Sequence, residues 1–201
     1  MPVRIEQREL GDVVVLVPDI FRDDRGFFVE SYRADQFRAL GLPTEFVQDN
    51  HSRSARGVIR GLHFQWDPPM SKLMRVTAGA AFLVAVDIRR GSPTLGQWFG
   101  IEASAENRRM VWAPPGFARG FCALTDGTEV QYKCTAIYNP QCESAIRWND
   151  PGIGIEWPVK EARISEKDSN ARTLPEWLSS PESEALQHFN GSEVRYIIGG
   201  R

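Results

Sequence analysis

The sequence predicts an all-β chain, a sandwich or barrel with short accessory helices. Three observations predict it: β-branched and aromatic runs recur along the chain, Gly, Pro, Asp and Ser separate them at short intervals, and helical spacing is confined to two places. In order, the strand-like runs are 13–17, 27–32, 57–65, 73–77, 81–88, 97–102, 110–113, 121–124, 129–138 and 144–148. The run AAFLVAVDIRRG is apolar at both parities, which predicts a strand covered on both faces. Helical pattern at 34–40 ends at Gly41, and a second stretch at 181–189 has start signals in Ser180, Pro181 and Glu182. The polar, Pro-containing segment 165–183 reads as chain running over the surface. At 201 residues one domain is expected over 1–201, with a C-terminal helical extension over about 175–201.

Composition excludes several function classes. The 24 basic and 26 acidic residues give a formal charge of -2, too little positive field for a general nucleic-acid or membrane-surface binder. An anionic ligand must therefore be held by local basic residues. Cys122, Cys134 and Cys142 are odd in number and lack CxxC spacing, which fits a reducing compartment better than a disulfide framework. The opening MPVRIEQREL lacks the apolar region of a signal peptide, and no run approaches the roughly 20 apolar residues of a membrane span. A soluble, cytoplasmic protein is expected.

GVIRGLHFQ, residues 57–65, places His63, one of three histidines, inside a strand-like run. An imidazole there is either a packed residue with one hydrogen bond or a base. A metal site on such a strand needs a second histidine two residues on, where Gln65 stands, and His51 and His188 lie in a polar turn and a terminal helical stretch. There is no G-x-S-x-G elbow and no G-x-G-x-x-G or GxxxxGK[ST] phosphate loop. Cofactor-free acid and base chemistry is what remains, with His63, Lys72, Tyr132, Tyr138, Asp87 and Asp168 available. Tyr132 and Tyr138 share strand parity and could line one face of a sheet, whereas Arg60 and His63 share a pocket only if their strand is bulged, as at Gly61. Asp87, in parity with Leu83 and Ala85 on a covered face, needs a partner, either an arginine that holds the fold or a member of a site.

The strings FRDDRGFFVESY, FVQDNHSRSARGVIRGLHFQ, KLMRV, VAVDIRRGSPTLGQW, SAENRRMVWAPPGFARGF, QYKCTAIYNP, WNDPGIGIEWP and ISEKD follow one another over roughly 18–170. In order and distance they resemble the dTDP-4-dehydrorhamnose 3,5-epimerase family. The resemblance implies a jelly-roll or cupin-like barrel, a homodimer, and catalysis with neither metal nor cofactor on a nucleotide-linked sugar, in the making of cell-surface carbohydrate. It implies that His63 is the base, Asp168 its carboxylate, Lys72 the cation facing an enolate and Tyr132 the acid on the opposite face of the ring. Arg25, Glu30, Gln48, Asn50, Arg60, Glu143 and Lys167 match nucleotide and phosphate contacts, and Tyr138 matches a second tyrosine of the site.

One departure stands out. Most family members read GFAHGF where this chain reads GFARGF, so Arg119 occupies the place of a site histidine. A guanidinium cannot shuttle protons as imidazole does but can bind an anion or a sugar oxygen. The expected activity is inversion at C3 and C5 of dTDP-4-dehydro-6-deoxy-D-glucose. The alternatives are a C3-only epimerase, an epimerase of a GDP- or CDP-linked 4-keto sugar, and a sugar-nucleotide-binding barrel without catalysis.

Overall fold

The computed structural model describes residues 2–188. In chain order the elements are β1 (Val3–Glu9), β2 (Val13–Pro18), β3 (Ile20–Asp23), β4 (Gly26–Val29), α1 (Ala34–Ala39), β5 (Gln48–Ser54), β6 (Ile59–Gln65) and β7 (Lys72–Ala78). There follow β8 (Ala80–Asp87), β9 (Trp98–Ser104), β10 (Met110–Ala113), β11 (Phe117–Ala123), β12 (Thr128–Cys134), β13 (Glu143–Ala145), α2 (Glu166–Ser169), α3 (Leu174–Leu178) and a 3-10 helix, Pro181–Ala185. Two sheets, ordered β1-β2-β10-β7-β12-β5 and β13-β6-β11-β8-β9, make the barrel, and β3 and β4 form a separate hairpin. The predicted β-barrel of jelly-roll type with short helices is what the chain forms.

Strand alternation explains where the core sits. Val13, Val15, Met74 and Val76 of the first sheet meet Leu83, Ala85, Phe117 and Phe121 of the second between the two layers. The other parity faces outward on each side. Val14, Leu16, Leu73 and Trp112 pack under Phe37 of α1, and Leu62, Phe64, Val84 and Val86 pack under the fully buried Trp177 of α3. Thus β8 is covered on both faces, as its unbroken apolar run predicted.

Asp87 ends β8 fully buried, and its partner is structural. Its Oδ1 accepts from Arg89 Nε at 2.9 Å and its Oδ2 from Arg89 Nη2 at 2.6 Å, with Ser92 and Thr94 hydroxyls donating to Oδ2 at 2.5 and 2.6 Å. Of the two readings of Asp87, the arginine that holds the fold is the one found.

Several boundaries differ from the sequence reading, for physical reasons. β5, QDNHSRS, is an edge strand with a polar residue at every position, and β1 and β3 are likewise edge or hairpin strands rich in polar residues, so none carries an apolar signal. β12 stops at Cys134 rather than 138, and β11 begins at Phe117 rather than 121, a start hidden in the sequence because Ala118 and Gly120 are weak strand formers. The segment 165–183 is not simply surface chain. Ser165 caps α2, accepting from the Asp168 amide, and Thr173 and Glu176 form a capping box on α3. The stretch 181–189 holds a five-residue 3-10 helix rather than an α-helix, and of the extension over about 175–201 the part beyond 188 lies outside the described residues.

Candidate active site

The inward face that makes the apolar core also carries polar groups. Lys72 has the parity of Met74 and Val76, Tyr132 that of Val130, and Arg119 that of Phe117 and Phe121. Lys72 pairs in register with Cys134 on β12, while Arg119 pairs with His63 on β6. The first sheet therefore contributes Lys72 and Tyr132, and the second contributes His63 and Arg119. Lys72 Nζ lies 4.8 Å from the centroid of the Tyr132 ring.

His63 is held by a residue far away in sequence. Its Nε2 is 2.8 Å from Asp168 Oδ1, and Asp168 Oδ2 accepts from the Gly61 amide at 3.2 Å. The carboxylate can only accept, so this geometry assigns the proton to Nε2 and leaves Nδ1 as the basic nitrogen. Burial would push the Asp168 carboxyl up, but the His63 bond and charge, the Gly61 amide and the Ser165 hydroxyl outweigh it and hold it below the ordinary carboxylate range. An ionised carboxylate is thereby kept beside the imidazole.

The bulge that Arg60 and His63 would need in order to share a side is present in β6. Between Arg119 and Phe121 the partner strand advances from His63 to Arg60, three residues against two, so the parity conflict of Arg60 and His63 is removed by a bulge. Gly61 sits at this bulge with φ +140°, and a Cβ there would come within 2.6 Å of the Gly120 Cα. Arg60 donates to Ser54 Oγ at 3.1 Å, and its charge acts on the Tyr132 phenol.

Desolvation sets the protonation of the remaining groups. Burial, then the charge of Arg119, lowers the Lys72 ammonium to about 8. Burial raises the Tyr132 phenol above its ordinary value despite a hydrogen bond with Asn50. Around these groups lies a polar rim. Gln48 Oε1 accepts from the Tyr138 amide at 2.8 Å, Gln48 Nε2 donates to Asn50 at 3.0 Å, and Glu143 accepts from Tyr138 Oη at 3.3 Å and Lys167 Nζ at 2.5 Å.

One expectation needs correction. Tyr138 does not line a sheet face with Tyr132, because β12 has ended four residues earlier, and its ring stands half-exposed on the following loop. Arg25 pairs with Asp23 at the tip of the β3–β4 hairpin, and Glu30 bonds to Gln36 and Arg33 near α1. Gln65, where a second metal-binding histidine was sought, is spent on the backbone of Pro68, Ile137 and Asn139, and His51 faces Glu129 at 3.1 Å. Ser165 and the Gly61 amide, which fix Asp168, were missed as site residues. The S-x-x-D spacing of a helix cap was the signal for the first.

The inward sides of the two sheets thus carry a carboxylate-held imidazole on one and a lysine and a phenol on the other, side chains of the types that acid–base enzymes use. The sequence profile of dTDP-4-dehydrorhamnose 3,5-epimerase matches residues 7–176. A protein of that name from Pseudomonas aeruginosa is 52% identical over 167 residues, covering 82% of this chain and 92% of that protein. The crystal structure of the Legionella pneumophila dTDP-6-deoxy-D-glucose-3,5-epimerase with dTDP-4-keto-L-rhamnose superposes with a TM-score of 0.88 at 42% identity, covering 94% of this chain and 100% of that one. A 3'-monoepimerase from Streptomyces bikiniensis, in complex with dTDP-quinovose, gives 0.79 at 36% identity, covering 83% and 85%. The chain belongs to the dTDP-4-dehydrorhamnose 3,5-epimerase family and is an isomerase.

Proposed function

We propose that this enzyme converts dTDP-4-dehydro-6-deoxy-D-glucose to dTDP-4-dehydro-L-rhamnose by inverting C3 and C5, with no cofactor, as a cytoplasmic homodimer supplying cell-surface carbohydrate. The observations that support the reading are the His63–Asp168 bond, between the inward side of β6 and α2, and the Lys72–Tyr132 contact on the inward side of the other sheet. Hydrogens on C3 and C5 flank the C4 ketone, so the electron pair left by either can spread onto the ketone oxygen. His63 Nδ1 takes the proton, Asp168 supports the resulting imidazolium, and the Lys72 ammonium meets the enolate oxygen in a site with little water. Tyr132 delivers a proton from the other face, which inverts the carbon.

Arg60, Gln48, Asn50, Tyr138, Glu143, Lys167 and Arg119 are proposed to bind the substrate. Arg25 and Glu30 join them only if the hairpin of one copy reaches the site of the other, which the proposed homodimer allows. The test is incubation with the dTDP-linked 4-keto sugar, with GDP- and CDP-linked counterparts alongside, and NMR assignment of product configuration. The L-rhamno product from the dTDP sugar supports the reading, and turnover only of another nucleotide sugar overturns it. Arg119 and the likeness to a 3'-monoepimerase favour one second reading, inversion at C3 alone. It predicts a product changed at that carbon only.

Two expected results follow from the roles. Tyr132→Phe slows inversion by about 10²-fold or more while exchange with deuterated water survives, because His63 can return a deuteron on its own face. Equal loss of both contradicts a donor confined to the opposite face. In the pH–rate profile, activity falls as pH rises through about 8, because Lys72 is charged below that value and neutral above it. A profile flat to about pH 10 removes the ammonium from the mechanism.

A further inference from the structure

The outer face of the first sheet carries charges that neither the core nor the catalytic groups use. Leu73 and Arg75 on β7, and Gln131 and Lys133 on β12, have the parity opposite to Met74, Val76, Val130 and Tyr132, so they stand on the side away from the barrel interior. With Met110 of β10 and Ser31 of the segment after β4 they line a cavity of about 200 Å³. Arg75 and Gln131 are partners in register across β7 and β12. Arg75 Nε and Nη2 both donate to Gln131 Oε1, at 2.9 and 2.7 Å.

Those two bonds decide what the cavity offers. The guanidinium takes the Gln131 carbonyl oxygen, so the amide NH2 is the free end of that side chain, and Arg75 Nη1 likewise has no acceptor among the described residues. Neither nitrogen is sealed away, since the side-chain nitrogens buried without a partner among the described residues belong to Arg108, Arg119 and Trp177. Lys133 Nζ is a third donor, shared with Asp49 at 3.1 and 3.0 Å and 29% exposed as a side chain. Arg75 forms no ion pair among the described residues, and the charges that act on it are those of Arg108, a second cation, and Asp49. Arg108 in turn lies over the Phe27 ring, 4.0 Å from its centroid, rather than against a carboxylate. Three cations therefore surround one carboxylate, and that carboxylate is already bonded to Lys133. A half-buried guanidinium that has lost part of its hydration without gaining a counter-charge is a ready partner for an anion.

We propose that this cavity is a second ligand site, on the outer face of the first sheet, for a phosphate group that is either the free ion or the end of a small monoester. Arg75 Nη1, the Gln131 amide and Lys133 Nζ donate to its oxygens, and Arg108 adds to the positive field. Phosphate oxygens are strong acceptors and suit a wall that presents donors, and a guanidinium, weakly hydrated, gives up little water to meet them. Leu73 and Met110 supply an apolar wall on which the organic part of an ester can lie. The site goes beyond the epimerase reading and does not rest on it. Lys72 and Tyr132 sit on the same two strands but on the other face, so the two sites share a sheet and no side-chain donor.

The experiment titrates wild-type enzyme labelled with nitrogen-15 arginine with inorganic phosphate and with methyl phosphate, at constant ionic strength, with and without saturating dTDP, and with chloride as the control anion. The Arg75 Nε–H signal is identified by its absence from Arg75→Met. The expected result is a saturable shift of that signal with a Kd of about 1 mM or tighter for at least one of the two phosphates, whether or not dTDP is present. Tighter binding of methyl phosphate assigns the ester, and tighter binding of inorganic phosphate the free ion. Gln131→Glu keeps an acceptor for Arg75 and replaces the free amide donor with a carboxylate oxygen, so phosphate affinity falls by about tenfold or more in a protein that retains its packing. Turnover of Gln131→Glu and Arg75→Met stays within about threefold of wild type, because neither side chain faces the reacting groups. The proposal is overturned by a shift that does not saturate, by the same response to chloride, by affinity unchanged in Gln131→Glu, or by binding that dTDP abolishes, which would put the phosphate in the nucleotide's place. Failure of the epimerase reading would show as absent turnover in wild type and leaves the titration as it stands.

Discussion

Replacing His63 with asparagine or alanine reduces deuterium exchange at both C3 and C5 by about 10³-fold or more, while dTDP affinity survives. The base acts on hydrogens that only the bound sugar presents, so its loss is felt in the transition state rather than in the nucleotide contacts. Asparagine is the more telling replacement because it leaves a polar group beside Asp168, which is 3% exposed and otherwise loses one of its partners. Asp168→Asn acts more mildly, since the imidazole stays and only its tautomer and orientation are disturbed. Exchange and turnover of the variants are read by NMR against folded protein of equal concentration. Persistence near the wild-type rate in His63→Asn removes His63 as the base.

Asp87→Ala lowers stability by about 3–5 kcal/mol, the largest effect expected from a single change outside the site. The carboxylate accepts from Arg89, Ser92 and Thr94, and its removal leaves the Arg89 guanidinium, otherwise bonded to Asp12 and stacked on Phe117, short of a partner in the interior. Burial alone would raise the Asp87 carboxyl, but these donors outweigh it and hold it below its value of 3.8 in the unfolded chain. A depressed carboxylate contributes stability above the unfolded value and loses it as pH falls through the folded one. The gap between wild type and variant, measured by denaturant unfolding, is therefore full at pH 7 and narrows below about pH 4. A gap under about 1 kcal/mol at pH 7 contradicts the account of Asp87.

Legibility in the sequence followed the strength of the local signal. β8 could be read, faces included, because an unbroken apolar run has few other homes, and parity set the condition, a bulge, under which Arg60 and His63 share a side. β5 could not, because an edge strand of alternating polar residues looks like a turn, yet it supplies Gln48 and Asn50. The pairing of His63 with Asp168 spans 105 residues and depends on how α2 docks under β6, for which no local pattern exists. Only the resemblance carried it. The same resemblance carried Arg25 and Glu30, whose bonds lie within the hairpin and beside α1. Arg119 showed the converse. The sequence exposed the departure, but the Met70 carbonyl that accepts from the guanidinium is visible only in three dimensions.

In the proposed reaction one pocket, built on His63, removes protons from both carbons beside the C4 ketone. The direct measurement is proton NMR of dTDP-4-dehydro-6-deoxy-D-glucose incubated with the wild-type enzyme in deuterated water, following C3 and C5 separately. Loss of both signals as the L-rhamno product forms is the predicted result. Loss at C3 alone, with C5 retaining its hydrogen and configuration, would contradict double inversion, and retention of both hydrogens would contradict the enzyme's proposed chemistry altogether.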